Sequence, residues 1–483
     1  MVGESRLACP RGPRDPDYLG AIAAAGKCQT PDHLRRLAAA LDQRKQATYG
    51  APVAGAGRGE KRFGVAAAPA GPVRIVDGRA GLHGGVQYGR PDRRLEPVRQ
   101  HVDADRVIEL TKALVAVDTR NPPGNERPIE GVVREALDRW RPRWTSVEPA
   151  PGRLSLVAEL DHPEGSGADR LTLIINGHLD VVPVRAAAWT HDPFDPQVLD
   201  GRLYGRGTAD MKGGIAAAIC ALDVLDKAGV TPACNLVFHL VADEERGGRL
   251  GTQALLDRGL IQGNACLVPE PTDMELCIAE RGLLQARIVV EGRPGHGSRP
   301  REGVSAIEHA AQLVLALHAA DFGDVEHPLL GRPTANVGTI SGGSAFNTVA
   351  ESCVIGLDRR ILPGATEAST EVEIRKLIEG AAIDGLRYEF DLDTFGEASE
   401  MDATDPWVKQ VGEAVARATG RQPGIIGMTF TTDARFVRNQ AQIPTVVCGP
   451  GAVEQAHGND EFVSVESLVD ATAAFAELMA AYG

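Results

Sequence analysis

The sequence predicts an α/β protein in which a main domain with a mixed, mostly parallel sheet is interrupted by an inserted ferredoxin-like α+β domain. Short apolar runs, typical of buried parallel strands, alternate with helical segments on both sides of the insertion. Between residues 283 and 395 the pattern changes to strands of alternating polarity and two amphipathic helices. A chain of 483 residues has room for both domains and an extension, at roughly 150 residues per domain.

Residues 1–100 differ in composition from the rest of the chain. They contain 15 Gly, 9 Pro and 17 Ala, and one candidate helix follows Thr30 and Pro31. They have 17 Lys and Arg against 9 Asp and Glu, whereas residues 101–483 have 34 against 56. Because such a segment buries too little apolar surface to offset its ordering entropy, we expect a basic, disordered extension. A basic interaction arm is the alternative.

The main domain is predicted to comprise residues 101–282 and 396–483. It begins with a helix after Asp103, whose apolar residues recur at helical spacing. Buried strands are expected at 171–177, 235–242 and 444–449, and a crossover helix at 213–229. Strands joined by such crossovers form a sheet with helices on both faces.

The inserted domain is predicted to span residues 283–395. Its elements follow the order β-α-β-β-α-β, from the alternating segment LLQARIVVEG to the last strand, LRYEFDLD. This order is that of a ferredoxin-like sandwich.

Composition excludes several classes of partner. No apolar run approaches the ~20 residues that a membrane span needs, so we expect no membrane partner. The acidic balance of residues 101–483 disfavours a nucleic-acid partner, because neutralising phosphate groups requires a basic face. The eight cysteines are scattered and never spaced as C-x-x-C, which favours a reducing compartment. With no signal-peptide pattern at the first residues, we expect a cytoplasmic protein that acts on a small molecule.

Polar side chains stand where α/β sheets bind their ligands, just after the predicted strands or before the crossover helix. They are His178, Asp210, the acidic run Asp243, Glu244 and Glu245, and Glu270; near the C-terminus, His457 lies in a Gly-rich loop. Each alone has an ordinary explanation as a solvated strand end or a core histidine. Together, two imidazoles and three carboxylates suffice for two divalent ions that share a bridging ligand, and these donors suit Zn, Mn or Co. Two such ions can polarise a carbonyl group and activate a bridging water, which predicts hydrolysis.

Ten ordered segments between about residues 103 and 481 resemble the dinuclear zinc amidohydrolases and peptidases. This family includes acetylornithine deacetylase, succinyl-diaminopimelate desuccinylase, aminoacylase and the glutamate carboxypeptidases. The segments are NPPGNE, NGHLDVVP, GRLYGRGTADMKGG, DEERGG, EPT, GHGS, DRRILPG, FTTDARF, PTVVCGPG and HGNDEF. The first 100 residues have no counterpart in the resemblance.

The resemblance implies a dinuclear centre. His178, Asp210 and Glu270 would bind one ion, and Asp210, Glu245 and His457 the other, so that Asp210 bridges the two. Zinc is the expected metal, with cobalt or manganese as alternatives.

Two further residues are implied to assist this centre. Asp180 would hydrogen-bond a ligand imidazole, and Glu244 would be the general base that takes a proton from the bridging water and passes it to the leaving amine. The resemblance also implies a cis peptide bond between Asp210 and Met211.

In the inserted domain, the resemblance implies a lid that binds substrate and forms a homodimer. His296 and Asn347 would polarise the scissile carbonyl oxygen, with His296 reaching a neighbouring subunit. Arg360 would hold the substrate's α-carboxylate, a bidentate task that suits a guanidinium group. The adjacent Arg359 is the alternative for that role.

The implied function is hydrolysis of the amide bond of an N-acyl amino acid, as in a deacetylase or desuccinylase. The alternatives are a metallo-carboxypeptidase or dipeptidase of the same family, and a non-catalytic relative that binds an acyl amino acid. The complete donor set and Glu244 favour the enzyme. Serine-hydrolase and P-loop interpretations fail, because the sequence has neither a G-x-S-x-G elbow nor Walker A spacing. His239, inside a predicted strand, is expected to be a hydrogen-bonded core histidine.

Overall fold

The computed structural model describes residues 98–163, 165, 170–320, 322 and 325–483. The predicted extension and its candidate helix lie outside this range, except for residues 98–100. Within it, the α-helices are α1 (Ala104–Val115), α2 (Glu130–Leu137), α3 (Lys212–Ala228), α4 (Thr252–Leu256), α5 (Ala306–His318), α6 (Glu367–Gly380), α7 (Pro406–Thr419), α8 (Ala434–Asn439) and α9 (Val465–Ala481). Short 3-10 helices lie at Val98–His101, Arg127–Ile129, Asp138–Trp140, Ala186–Ala188, Glu244–Arg246, Pro300–Glu302 and Val453–Gln455.

The strands of the described residues form three sheets. They are β1 (Arg143–Val147), β2 (Ser155–Leu160), β3 (Thr172–His178), β4 (Gln197–Leu199), β5 (Arg202–Tyr204), β6 (Asn235–Val241), β7 (Ala265–Val268), β8 (Leu276–Glu280), β9 (Gly282–Glu291), β10 (Thr334–Gly342), β11 (Ser352–Ile361), β12 (Arg387–Gly396), β13 (Ser399–Glu400), β14 (Ile425–Met428), β15 (Thr445–Val447) and β16 (Phe462–Ser464). We call residues 283–395 the insertion and the other described residues the body.

The body is built on a nine-stranded mixed sheet. Its order is β1-β2-β6-β3-β7-β15-β8-β13, and β14 pairs with β8. The central pairs β6–β3, β3–β7 and β7–β15 are parallel, whereas β1–β2, β2–β6 and β8–β13 are antiparallel. The predicted α/β fold with a mixed sheet is confirmed, and the three predicted strands are present with their ends shifted by one or two residues.

The crossover helix α3 packs on this sheet as predicted. It ends at Gly229, whose φ of 66° is left-handed and therefore suits a residue without a Cβ atom. At its other end, the buried Lys212 ammonium donates to the carbonyl oxygens of Leu114 and Val117, 3.0 and 2.9 Å away. The lysine thus satisfies free carbonyl groups at the end of α1 and fixes the chain just after Asp210.

The insertion contains a separate four-stranded antiparallel sheet in the order β10-β11-β9-β12. With α5 and α6, its chain order is β-α-β-β-α-β, as the sequence predicts. Alternate residues of β9 and β11 are buried in one hydrophobic cluster that includes residues of both helices, among them Ile288, Ile355, Leu313 and Ile374. One face of the sheet is therefore covered and the other is not.

The insertion leaves and rejoins the body at one narrow place. Leu283 at the start of β9 pairs with Gly396 at the end of β12. A Cβ atom at Gly282 would lie only 2.4 Å from the Ala398 nitrogen and 2.5 Å from the Gly396 oxygen. Glycine is required there because the two connecting segments run in direct contact.

A small three-stranded sheet, β16-β5-β4, joins distant parts of the body. Its β5–β16 pair brings residues 202–204 beside residues 462–464. The segment after β5, which carries Asp210, and the segment before β16, which carries His457, are therefore anchored at the same place. In the described residues, we find no helix with the length and apolar character that a membrane crossing requires.

Candidate metal centre

Three predicted donors meet at the carboxyl end of the body sheet. His178 ends β3, and its Nε2 lies 2.9 Å from Asp210 Oδ1 and 3.4 Å from Glu270 Oε1. Glu270 follows β7, the parallel neighbour of β3, so both side chains emerge at the same sheet edge. These are the three residues predicted for the first ion.

The other predicted donors gather on the far side of Asp210. His457 Nε2 lies 3.2 Å from Asp210 Oδ2 and 3.0 Å from Glu245 Oε2. Asp210 therefore turns one carboxylate oxygen to each histidine, the arrangement expected of a bridging ligand. The peptide bond between Asp210 and Met211 is cis, as the resemblance implies.

Burial gives these acids unusual proton affinities. Burial and the charge of Asp210 raise the pKa of Glu270 to about 8. Burial disfavours the charged form of His178, but the surrounding carboxylates hold its pKa well above the usual value. Hydrogen bonds to Asp210 and Glu245 raise the pKa of His457 to about 11. The cluster thus crowds carboxyl groups into one place, and the shifted pKa values reflect a mutual repulsion that a bound cation would offset.

The donor set fits two divalent ions. It consists only of imidazole nitrogens and carboxylate oxygens, which suits zinc, manganese or cobalt better than metals that prefer thiolate. Donor atoms of His178, Glu244 and Glu270 lie within 4.8 Å of one another, and so do those of His178, Asp210 and Glu245. Moreover, Glu245 Oε1 is buried without a hydrogen-bond partner, an arrangement that a coordinated ion would relieve.

Glu244 lies next to the centre rather than between the two histidines. Its Oε2 is 3.9 Å from His178 Nε2, the longest of the contacts that this imidazole makes with carboxylates of the centre. Burial, with the nearby carboxylates of Glu270 and Asp433, raises the pKa of Glu244 well above the usual value. Glu244 is thus a buried carboxyl group with raised proton affinity beside the predicted donors.

Asp180 contacts His178 differently from what the resemblance implies. His178 Nδ1 lies 2.9 Å from the backbone oxygen of Asp180, and the Asp180 carboxylate is 3.7 Å away. That carboxylate accepts instead from the backbone N–H groups of Glu244 (3.2 Å) and Glu245 (3.3 Å) and from the Asn121 side chain (2.9 Å). Asp180 thus connects the imidazole to the loop that carries both glutamates.

The structure does not bring the predicted groups of the insertion to this centre. His296 is exposed, and its Nδ1 bonds the Ser298 hydroxyl at 2.8 Å. Asn347 is also exposed, and its backbone oxygen accepts from the backbone N–H group of Gly297 at 2.7 Å. Within the described residues, no hydrogen bond or ion pair joins either side chain to the five donors.

Arg359 and Arg360 lie on opposite faces of β11. Arg359 is buried, bonds Glu373 of α6 at 2.9 Å and stacks on Phe322. Arg360 points to the uncovered face, where Asp358 of the same strand accepts from its Nε at 2.7 Å. Only Arg360 is therefore available to a ligand.

Sequence reasoning missed a buried polar network behind Asp180. Asn121 donates to Asp180 and also to Asp243, 3.2 Å away, while Arg153 donates to Asn121 and Asp243 at 3.1 Å each. Arg153 also pairs with the fully buried Glu126 at 2.9 Å. Charged residues in otherwise apolar or turn-rich segments indicate that a buried polar contact is present, but the sequence does not show which residues pair.

A second missed pair is Arg206 and Glu461, which lie inside two of the quoted motifs. Both are buried, and they form an ion pair with each other. His239 is buried as predicted, but neither ring nitrogen has a hydrogen-bond partner, so only half of that prediction is confirmed.

Comparison with known proteins identifies the family. The model of peptidase family M20/M25/M40 matches residues 174–481, more than half of the chain. Succinyl-diaminopimelate desuccinylase of Methylorubrum populi is 34% identical over 331 residues, which is 64% of this chain and 82% of the relative. Acetylornithine deacetylase of Proteus mirabilis is 30% identical over 378 residues, 75% of this chain and 92% of that protein.

Solved structures share the fold. An aminopeptidase, PepT, from Bacillus cereus has a TM-score of 0.67 at 22% identity, and the match covers 79% of this chain and 99% of that one. The YXEP protein of Bacillus subtilis, a dinuclear metal-binding peptidase of the M20 family, has a TM-score of 0.58 at 19% identity, over 78% and 97%. The sequence matches and the shared fold show that the chain belongs to peptidase family M20/M25/M40 and is a hydrolase of its amidohydrolase and peptidase class.

Proposed function

We propose that this enzyme hydrolyses the amide bond of an N-acyl amino acid, with two divalent metal ions, most simply zinc, and a glutamate general base. One observation carries the proposal: two histidine–carboxylate clusters meet at Asp210, and Glu244 lies beside them without bridging the two histidines. The desuccinylase and deacetylase relatives act on the substrates that their names state, and they favour an acyl amino acid over a peptide here.

In this mechanism, His178, Asp210 and Glu270 would hold one ion, and Asp210, Glu245 and His457 would hold the other. When bound, the ions supply a Lewis acid for the substrate carbonyl and lower the pKa of the attacking water.

Glu244 would accept a proton from the attacking water, because its carboxylate lies beside the donors, 3.9 Å from His178 Nε2, and it would then pass that proton to the leaving nitrogen. Asp180 accepts from the backbone N–H group of Glu244 at 3.2 Å and so helps to hold this residue in place.

We propose that the insertion is the lid of this site and adds the groups that bind the rest of the substrate. Arg360 on the uncovered face would hold the α-carboxylate, and His296 and Asn347 would bind the carbonyl oxygen. The narrow connection at Gly282 supports a hinge, because only two chain segments join the insertion to the body there.

We further propose a homodimer through the insertion. Strand β10 lies at an edge of its sheet, and apolar side chains beside it face solvent, with Ile340 51% and Phe346 111% exposed. Analytical ultracentrifugation should find a dimer for the wild type and a monomer for Phe346→Glu with Ile340→Lys. Val372→Lys, on the equally exposed α6, is the control and should remain dimeric. A monomeric wild type would refute the interface.

The cysteines support a reducing, cytoplasmic location. The six described cysteines are free and buried, and burial raises the pKa of the Cys266 thiol to about 12. Such thiols are small apolar core groups rather than metal ligands or disulfide partners.

The test of the proposed activity is hydrolysis by the purified full chain loaded with Zn, Mn or Co. The panel contains N-succinyl, N-acetyl and N-formyl amino acids and dipeptides, each with its amidated analogue. We expect turnover of at least one N-acyl amino acid and none by Glu244→Gln. Turnover of dipeptides alone would make the enzyme a peptidase, and binding without turnover would make it a non-catalytic relative.

A further inference from the structure

Two of the metal donors lie on segments that are far apart in sequence and are held together by one buried pair. Arg206 precedes Asp210 by four residues, and Glu461 follows His457 by four. The two side chains are only 2% and 1% exposed, and the Arg206 Nη1 group donates to Glu461 Oε2. A buried pair of this kind is costly to break, because either partner alone would be an unpaired buried charge.

Glu461 holds the backbone that leads to Asp210. Its Oε1 accepts from the N–H groups of Gly207 at 3.0 Å, Ala209 at 2.9 Å and Asp210 itself at 3.1 Å. Three amide donors on one carboxylate oxygen fix the direction in which this turn runs. The Asp210 side chain is therefore presented from a backbone that the His457 segment organises.

Arg206 performs the reciprocal task. Its Nη2 group donates to the Gly458 oxygen at 2.9 Å and lies 3.4 Å from the His457 oxygen. The guanidinium group also lies over the ring of Trp189, 5.1 Å from the ring centroid. The segment that carries Asp210 thus organises the backbone of His457, so each segment holds the donor of the other.

Two of the three donors of the first cluster, His178 and Glu270, do not depend on this exchange, whereas Asp210, which the two clusters share, does. His178 is fixed by the parallel pairs of β3, and Glu270 follows β7, in the centre of the sheet. His457 has no such support: it lies in a loop with a φ of 60°, and its side chain is 55% exposed. Loss of the pair should therefore disturb the second cluster more than the first.

We propose that Arg206 and Glu461 are positioning residues that hold Asp210 and His457 at donor distance and so determine the affinity of the second metal site. This inference rests on the proposed function, because it takes the two clusters to be metal sites. Neither residue touches the metal-facing side of the donors. Their effect is exerted through backbone atoms, and it should appear in metal affinity before any step of catalysis.

The experiment is a metal titration of the full-length apoprotein, with stoichiometry measured by elemental analysis and affinity by chelator competition. We expect the wild type to bind two zinc ions. In Glu461→Gln the amide nitrogen opposes the Arg206 donors, so the second ion should bind 10- to 100-fold more weakly, while the first, which loses only the support of Asp210, should weaken less. Excess zinc should restore kcat, which an irreversibly misfolded site would not allow.

Glu280→Gln is the matched control. Glu280 is also fully buried, pairs with Arg438 at 3.1 Å and accepts from Ser399 at 2.9 Å, but it contacts none of the metal donors. It should lower the melting temperature by a similar amount and leave both zinc affinities unchanged. Arg206→Lys, which keeps the charge but loses the planar fork, is the milder variant should Glu461→Gln fail to fold, and it should also weaken the second site more than the first.

The inference is overturned if Glu461→Gln and Glu280→Gln change the second affinity equally, if Glu461→Gln weakens both sites equally, or if the wild type binds fewer than two ions. Failure of the proposed function has a different signature. A wild type that binds two ions but hydrolyses no member of the substrate panel would refute the activity, and the titration of the variants would still decide the roles of Arg206 and Glu461.

Discussion

The body and the insertion present their functional groups in opposite ways. In the body, donors from five separate segments come together, all but His457 with little exposure, and imidazole and carboxylate atoms make contacts of about 3 to 4 Å. In the insertion, His296 and Asn347 are exposed and bond only to neighbouring loop residues. In the proposed mechanism, this difference means that the metal-binding half is assembled in advance and that the substrate-binding half is completed by movement or by a partner subunit.

The largest effects on kcat and metal content are expected from substitution of Glu244 or Glu245. These adjacent glutamates of the body are chemically identical, but the proposed mechanism gives them different roles. Glu244→Gln keeps its size but cannot accept the proton, so kcat should fall by at least 10² to 10⁴ with both ions bound. Glu245→Ala should instead lose metal and stability together. Steady-state kinetics and elemental analysis measure the two outcomes.

Exposed Glu135→Gln is the control for this pair and should behave as the wild type. An empty Glu244→Gln and a full Glu245→Ala would mean that the two roles are exchanged. A fully active Glu244→Gln with bound metal would exclude the proposed base.

The second largest effect is expected on the pH dependence of stability, to which the buried His239 of the body contributes. Burial lowers the pKa of His239 to about 4 in the folded state, against the usual 6.5 in the unfolded chain. The unfolded state therefore binds more protons between these values, so the contribution to stability is complete above pH 6.5 and is lost as the pH falls towards 4. The loss approaches 3 kcal/mol, at about 1.4 kcal/mol per pH unit.

His239→Phe should remove this dependence, so urea unfolding curves of variant and wild type should converge or cross as the pH falls from 7 to 4. His318→Phe, on an exposed position of α5, should leave the acid sensitivity unchanged. Equal pH slopes for His239→Phe and the wild type would show that His239 is protonated in the folded protein.

The sequence could predict the donors of the body because each follows a recognisable strand or helix signal. His178 comes at the end of an apolar run and Asp210 directly before a crossover helix, so local pattern and sheet topology together place them at one edge. The contacts of Arg153 with Asn121 and Asp243, and of Arg206 with Glu461, join residues between 32 and 255 positions apart. Their pairing follows from the final packing and has no local signal.

The third effect tests the insertion. Arg360→Ala should raise KM about 10- to 100-fold for substrates with a free α-carboxylate and leave their amidated analogues unchanged, because a charge-assisted pair is lost. Arg359→Ala, which loses Glu373 and Phe322 instead, should reduce stability without this selectivity. Equal KM changes for acid and amide would show that Arg360 does not recognise the carboxylate.

The smallest effect is expected from removal of residues 1–97. The cut should precede Val98, which is 1% exposed and bonds Glu477 of α9, and Arg99, which pairs with Asp470. Both the donors and the insertion lie beyond this point, so kcat, KM and melting temperature should change little. A large loss of activity or stability would show that the removed residues contribute to the folded enzyme.

The narrow connection at Gly282 also has a consequence for how the chain folds. Since Leu283 pairs with Gly396, the 112 intervening residues begin and end at the same point, and to the body they are a closed loop. A flexible loop of that length would make the meeting of β8 and β13 slow, because the entropy of closing it must be lost before those strands pair. Here β9 and β12 close the loop with their own hydrogen bonds. Folding of the insertion therefore places β8 and β13, the two flanking strands of the body, next to each other.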